Sequence, residues 1–181
     1  FVMHAANFLK KKGGYINTGV WSDKAMKAAQ FFGKTYEIAS SKEDHFTYIP
    51  SQKDFVVQPD TDYVYMTSNN TIHGTEWQTF PTFDIPVICD MSSDFLSRPV
   101  DVQQFDLIYA GAQKNVGPAG VVVAIIKDEF LQKANDKLPL MLQYKTFVDH
   151  DSTYNTPPVF DIYFVNKVAH WLDDHGGLAA M

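Results

Sequence analysis

The run Asp106-Leu-Ile-Tyr-Ala-Gly-Ala-Gln-Lys-Asn-Val-Gly-Pro-Ala-Gly-Val-Val-Val-Ala-Ile-Ile126 sets two short apolar segments around a turn of small residues. Asp106 to Gly111 and Gly120 to Ile126 are dense in β-formers and lack clean polar alternation, as expected of strands buried on both faces. Asp62-Tyr-Val-Tyr-Met-Thr67 and Ile85-Pro-Val-Ile-Cys-Asp90 read the same way. Helical patterns lie between and around them. Residues 2–12 read as a helix closed by Gly13-Gly14, followed by a short strand from Tyr15 to Gly19. Ser22 is then a natural N-cap for a helix from Asp23 to Phe32, with Ala25, Met26, Ala29 and Phe32 on one face. Lys34 to Ala39 is a further strand, and helices are expected at 128–135 and 158–174. Strands mixed with helices through brief Gly- and Pro-bearing loops predict one α/β layered domain over residues 1–181, with no repeat or linker.

Composition narrows the function. A chain of 181 residues with 45% hydrophobic residues, 14 Phe and 9 Tyr can fill a substantial core with large rings. It would bury roughly 70% of the surface its unfolded form exposes. Acids exceed bases by 21 to 15, a net charge of −6 that argues against nucleic acid as a partner. Lys10-Lys11-Lys12 reads as a solvated helix end. Cys89 stands alone, so no disulfide forms within the chain, which fits a reducing compartment such as the cytoplasm. No Cys or His pair has metal-ligand spacing, so no metal is expected. No apolar run is long enough to cross a bilayer, and no secretory signal opens the chain. The segments Phe1-Val-Met-His-Ala-Ala-Asn-Phe-Leu9 and Trp171-Leu-Asp-Asp-His-Gly-Gly-Leu-Ala-Ala-Met181 both read as interrupted helices. An excised segment is expected.

Two residues carry the chemical signal. Lys114 sits just past the end of a predicted strand, where open α/β sheets bind ligands. Ala110, Gly111, Ala112, Gly117, Ala119 and Gly120 leave room for something flat against the backbone. A lysine lifted from bulk water there can become nucleophilic, although a surface lysine in a glycine-rich turn has the same pattern. Asp90 ends another predicted strand, where an unpaired carboxylate is costly. It suits the ring nitrogen of a pyridine cofactor, or it caps a turn through Ser92 or Ser93.

The runs Leu96-Ser-Arg-Pro-Val-Asp101, Ile108-Tyr-Ala-Gly-Ala-Gln-Lys-Asn-Val-Gly-Pro-Ala-Gly120 and Tyr154-Asn-Thr-Pro-Pro158 resemble the phosphoserine aminotransferases. The likeness extends from Asn17-Thr-Gly-Val-Trp21 to Trp171-Leu-Asp-Asp-His-Gly-Gly177. It implies a three-layer fold-type-I large domain, with a mostly parallel mixed sheet flanked by helices. It implies pyridoxal 5′-phosphate (PLP) as cofactor, held by Lys114 as a Schiff base, with Asp90 at the pyridine nitrogen. Trp21 would stack on the ring, Thr71 would contact the cofactor, and Gln113 would lie at its phosphate. Asn155 and Thr156 would reach the neighbouring subunit's cofactor across a homodimer. The same two residues also suit the turn before a Pro157-Pro158 helix start.

The implied activity is amino transfer from L-glutamate to 3-phosphohydroxypyruvate, giving O-phospho-L-serine and 2-oxoglutarate. That is a step of serine biosynthesis, with a further role in pyridoxine biosynthesis. The family often has Asn-Glu-Thr-Ile-Asp-Gly where this chain has Asn69-Asn-Thr-Ile-His-Gly74, so local charge and hydrogen bonding around His73 should differ. Family members are also about twice as long, and their substrate arginines have no counterpart here. Arg98 is the only arginine, expected to pair with Asp94 or Asp101. The isolated segment is therefore expected to bind PLP weakly and to lack transaminase activity. The alternatives are a non-catalytic PLP-binding module, or another fold-type-I activity such as serine–glyoxylate transamination. Cysteine desulfuration is disfavoured because Cys89 lies within a predicted buried strand.

Overall fold

A computed structural model describes residues 1–181. Its centre is a six-stranded sheet in the order β2-β1-β3-β6-β7-β8. The strands are β1 Lys12–Asn17, β2 Lys34–Ser40, β3 Thr61–Thr67, β6 Val87–Asp90, β7 Leu107–Gly111 and β8 Val122–Ile126, with a small β4 Asn69–Asn70 and β5 Thr75–Glu76 ladder beside it. All neighbours in the large sheet run parallel except β7 and β8, which pair antiparallel from Gly111↔Val122 to Leu107↔Ile126. The helices are α1 Val2–Phe8, α2 Val20–Ala29, α3 Asp128–Leu131, α4 Tyr144–Asp149, α5 Val159–Asp174 and α6 Gly177–Ala180.

Strand periodicity splits the interior in two. Tyr15, Tyr63, Tyr65, Ile88, Leu107 and Tyr109 point to one face and pack on Ala5, Phe8, Ala25, Ala29, Phe130 and Tyr144 from α1 to α4. Ile16, Val64, Met66, Cys89 and Ile108 point to the other, covered by Trp77, Met91 and Phe105 with Phe55, Phe80 and Phe83 around them. Each large side chain buried this fully contributes about 1.5–3 kcal/mol. The tyrosines stay satisfied in pairs: Tyr15 Oη to Tyr63 Oη is 2.7 Å and Tyr65 Oη to Tyr109 Oη is 2.8 Å.

Several local expectations shift. Gly13 and Gly14 do not close a helix; α1 ends at Phe8, and both glycines lie inside β1. A Cβ at Gly14 would sit 2.6 Å from Ile38 Cδ1, so the small residue is needed for strand packing. Lys10 to Lys12 therefore form the connection into β1 rather than a helix end, and their three backbone N–H groups all donate to Asp62 Oδ2, at 2.8, 2.5 and 2.9 Å. Ser22 is not the N-cap but lies one turn inside α2, where its hydroxyl accepts from Thr18 N and Gly19 N at 3.0 Å. The helix read at 128–135 shortens to α3. β8 is partly exposed, not buried on both faces, because it forms the edge of the sheet. Arg98 donates to the Trp77 and Gln78 carbonyls rather than to Asp94 or Asp101, with its guanidinium over the Phe80 ring.

Asp62 thus ties the start of β1 to the start of β3 through charge-assisted bonds. Asp62→Ala should lower unfolding stability by about 1.5–3 kcal/mol, read as a lower urea midpoint; an unchanged midpoint would show that water replaces the carboxylate without loss.

Candidate active site

Strands β1, β3, β6 and β7 run the same way, so their C-terminal ends come together at one side of the sheet. A cavity of about 1130 Å³ opens there. Trp21, Thr71, Asp90, Gln113, Lys114 and Asn155 all line it, although they come from five separate parts of the chain, with Gln113 and Lys114 sharing the turn after β7. Thr156 is exposed and is not among its lining residues.

Asp90 is the last residue of β6, level with Thr67 on β3 and Tyr109 on β7. It is 5% exposed. Its Oδ1 accepts from Ser92 N at 2.9 Å and Ser92 Oγ at 2.6 Å, so the turn-capping role is real. Those bonds occupy one oxygen and leave Oδ2 for the cavity. Burial raises the carboxyl above its ordinary value, opposed by the Ser92 bonds. Thr67 Oγ1, beside it in the wall, is buried without a partner. Ser92 Oγ also accepts from Gly111 N at 3.0 Å, which pins Asp90 to the end of the strand that leads to Lys114.

Trp21 belongs to the first turn of α2. Its indole Nε1 donates to Thr71 Oγ1 at 3.3 Å, and Lys24 Nζ lies 4.7 Å from the centre of its ring. Thr71 follows Asn70 in the tight connection between β4 and β5. His73 in that connection approaches Val20 N through Nδ1 at 3.4 Å and stacks edge-on against Phe46 at 4.7 Å.

Lys114 is exposed in the turn after β7 rather than lifted from solvent by the chain itself. The small residues around it divide in purpose. A Cβ at Gly111 would strike Gln113 Oε1 at 2.6 Å, so Gly111 makes room within the cavity. Gly117 and Gly120 instead admit α5, since added Cβ atoms would lie 2.7 Å from Val165 Cγ2 and Asp161 Oδ2. Cys89 points away from the cavity into the far core, and burial, reinforced by Asp90 and Asp94, holds its thiol well above the ordinary value. It is no nucleophile. Sequence reasoning missed Asn70, treated only as a departure, and the two-strand bridge made by Ser92; neither has a sequence signal without its spatial partners.

Residues 3–181 match the class-V aminotransferase family. The chain belongs to that family. Curated relatives include the phosphoserine aminotransferase of Lysinibacillus sphaericus, 49% identical over 100% of this chain and 51% of the relative, and that of Desulfosudis oleivorans, 52% identical over 100% and 51%. A solved phosphoserine aminotransferase from Bacillus circulans subsp. alkalophilus superposes with a TM-score of 0.95 at 44% identity, covering 99% of this chain and 50% of that one. A PLP-bound phosphoserine aminotransferase from Trichomonas vaginalis superposes with a TM-score of 0.92 at 36% identity, covering 99% and 55%. The fold is thus the fold-type-I α/β architecture, a mostly parallel mixed sheet flanked by helices. The chain spans about half the length of the curated relatives it matches.

The buried carboxyl has a stability signature. Asp90 titrates near 4 when unfolded and holds its proton to higher pH when folded, so its favourable contribution is complete at low pH and is lost as pH rises through the folded value. Asp94, raised by burial as well, acts in the same direction. Ligand-free Asp90→Asn should lose less stability between about pH 4 and pH 7 and be the more stable of the two at pH 7. Urea midpoints at the two pH values check this; an equal or lower midpoint at pH 7 would show that the ionised carboxylate carries no cost there.

Proposed function

We propose that the intact protein is a phosphoserine aminotransferase that uses PLP to move an amino group from L-glutamate to 3-phosphohydroxypyruvate. The products are O-phospho-L-serine and 2-oxoglutarate. The observation that carries this reading is one cavity holding a buried carboxylate with a free oxygen, an indole wall and a lysine on a tight turn. The relatives named above, about half identical throughout, support the substrate choice.

The residues fit the cofactor. Asp90 is a buried carboxyl whose bonds to Ser92 fall on Oδ1, so Oδ2 could accept from a protonated pyridine nitrogen. Trp21 offers a flat face for offset stacking. Thr71, the unpartnered Thr67 hydroxyl and Gln113 offer polar contacts around the ring and phosphate. Bound there, PLP would act as an electron sink that eases loss of a proton from the substrate α-carbon. Lys114 would hold the cofactor and, once freed by the incoming amine, take that proton as general base. Asp90 would keep the pyridine nitrogen charged, while Trp21 fixes the plane of the ring.

Asn155 lines the same cavity, whereas Thr156 is exposed and does not line it. In the proposed homodimer both reach the neighbouring subunit's cofactor phosphate, so each site is shared. No helix is long and apolar enough to cross a membrane, and the proposed setting is the cytoplasm, in serine and pyridoxine biosynthesis. The large-domain assignment of residues 1–181 belongs to the same reading. The chain by itself has no arginine in this cavity to orient a phosphate and two carboxylates. As an isolated polypeptide it should bind PLP weakly and turn over negligibly.

PLP added to the intact protein, followed by borohydride reduction and peptide mapping, should place the label on Lys114. Lys114→Ala should reduce turnover by at least about 10³-fold. Label spread over other lysines, or wild-type rates in the variant, would overturn the assignment.

A further inference from the structure

We infer that Asn70 is a positioning residue for the ligand site: its side chain sets the first turn of α2, and so fixes the Trp21 ring and its contact with Thr71. This rests on the PLP site proposed above. Asn70 is fully buried, at 0% exposure, and it does not line the cavity. Its Oδ1 accepts from Trp21 N at 3.0 Å and Ser22 N at 3.4 Å, the two N–H groups that an N-cap side chain would take. The formal N-cap, Gly19, has no side chain to do so. A helix end whose N–H groups are buried requires such a partner, and here it arrives from a distant segment.

The other half of the amide is also used. Nδ2 donates to Thr18 Oγ1 at 3.0 Å, which joins the end of β1 to the same residue. The Asn70 carbonyl accepts from His73 N at 3.1 Å and Gly74 N at 2.9 Å, closing the turn that carries Thr71. Contact is close enough that a Cβ on Gly19 would lie 2.5 Å from Asn70 Cβ. One residue therefore links β1, the start of α2 and the Thr71 turn. Trp21 and Thr71, hydrogen-bonded to each other at 3.3 Å, are held from behind by the same residue, Trp21 through its side-chain amide and the Thr71 turn through its backbone carbonyl. An aliphatic side chain of this size fills the space but supplies neither bond. A carboxylate keeps the acceptor for α2 and loses only the donor to Thr18.

The test compares Asn70→Leu and Asn70→Asp in the intact protein, with Trp77, Trp171 and any tryptophan outside residues 1–181 replaced by Phe so that fluorescence reports Trp21 alone. Acrylamide quenching is measured without cofactor, PLP affinity by quenching on titration, and thermal midpoint as a control. Asn70→Leu should make Trp21 more accessible in the folded, ligand-free protein and weaken PLP at least about tenfold. Asn70→Asp should recover most of both. A role in stability alone would lower the midpoint of Asn70→Leu while Trp21 quenching and PLP affinity stayed as in the parent, which would overturn the inference. Equal behaviour of the Leu and Asp variants would overturn it too. Should Asn70→Leu fail to fold, Asn70→Ser, whose shorter side chain cannot reach the Trp21 and Ser22 N–H groups, takes its place and should move both readouts in the same direction; the absence of any movement would overturn the inference. If the unmodified protein takes up no PLP on Lys114, the proposed function fails, and ligand-free Trp21 quenching still decides whether Asn70 positions Trp21.

Discussion

A carboxylate at the end of a buried strand has to be held, and the hold on Asp90 organises the site. The parallel register of β3, β6 and β7 sets Thr67, Asp90 and Tyr109 side by side. Ser92 then bends back to bond Asp90 Oδ1 and reaches across to Gly111 N. The second contact matters as much as the first, because Gly111 opens the turn that carries Gln113 and Lys114. Moving Asp90 would therefore disturb the lysine turn as well. Full satisfaction of both oxygens would make the carboxylate a structural cap. With Oδ2 left over, the protein carries a desolvation cost that a cationic donor in the cavity would offset.

The turn beyond β7 is braced from behind. Gly117 and Gly120 permit α5 to approach so closely that any side chain would collide with Val165 or Asp161. The antiparallel pairing of β8 returns the chain at once, with Ala112 N bonded to Val121 O at 3.0 Å. Glycines that suggested space for a cofactor thus serve mainly to lock a helix against the turn. Gly111 alone makes room on the cavity side, for the Gln113 side chain.

How far the sequence could be read depended on whether a signal was local. The apolar runs at β3 and β7 and the long pattern at α5 were legible, because burial on both faces and helical spacing each leave a mark within a few residues. Gly13-Gly14 misled because the reason for those glycines lies outside their segment, in Ile38 and Tyr63 packed against β1. Ser22 misled for a similar cause: a serine before a helical pattern resembles a cap, yet the cap reaches α2 from Asn70. Lys114 and Asp90 stood out by their places at predicted strand ends, and the other candidate site residues were reached through family resemblance. The cavity gathers all of them but Thr156. What neither route supplied was the connecting bonds of Ser92 and Asn70, since a hydrogen bond between residues 19 or 49 positions apart has no sequence spacing to betray it.

The two walls of the cavity differ in readiness. Trp21 is held at its backbone by Asn70, at its indole by Thr71 and over its ring by Lys24. Little rotamer freedom is left to lose when a flat ligand stacks there. Lys114 stands exposed on a flexible four-carbon stem, so ordering it costs side-chain entropy of up to about 2 kcal/mol. In the proposed reading, noncovalent seating against the rigid indole and Asp90 would come first in energetic terms, and engagement of the lysine second. The neutral acceptors at the start of α2 favour the same sequence. Asn70 and His73 satisfy the Trp21, Ser22 and Val20 N–H groups without adding a negative charge beside the ring. Asp90 is the buried anion of the cavity wall, Asp128 being exposed, so in the proposed reading a cationic ring nitrogen would point to Asp90.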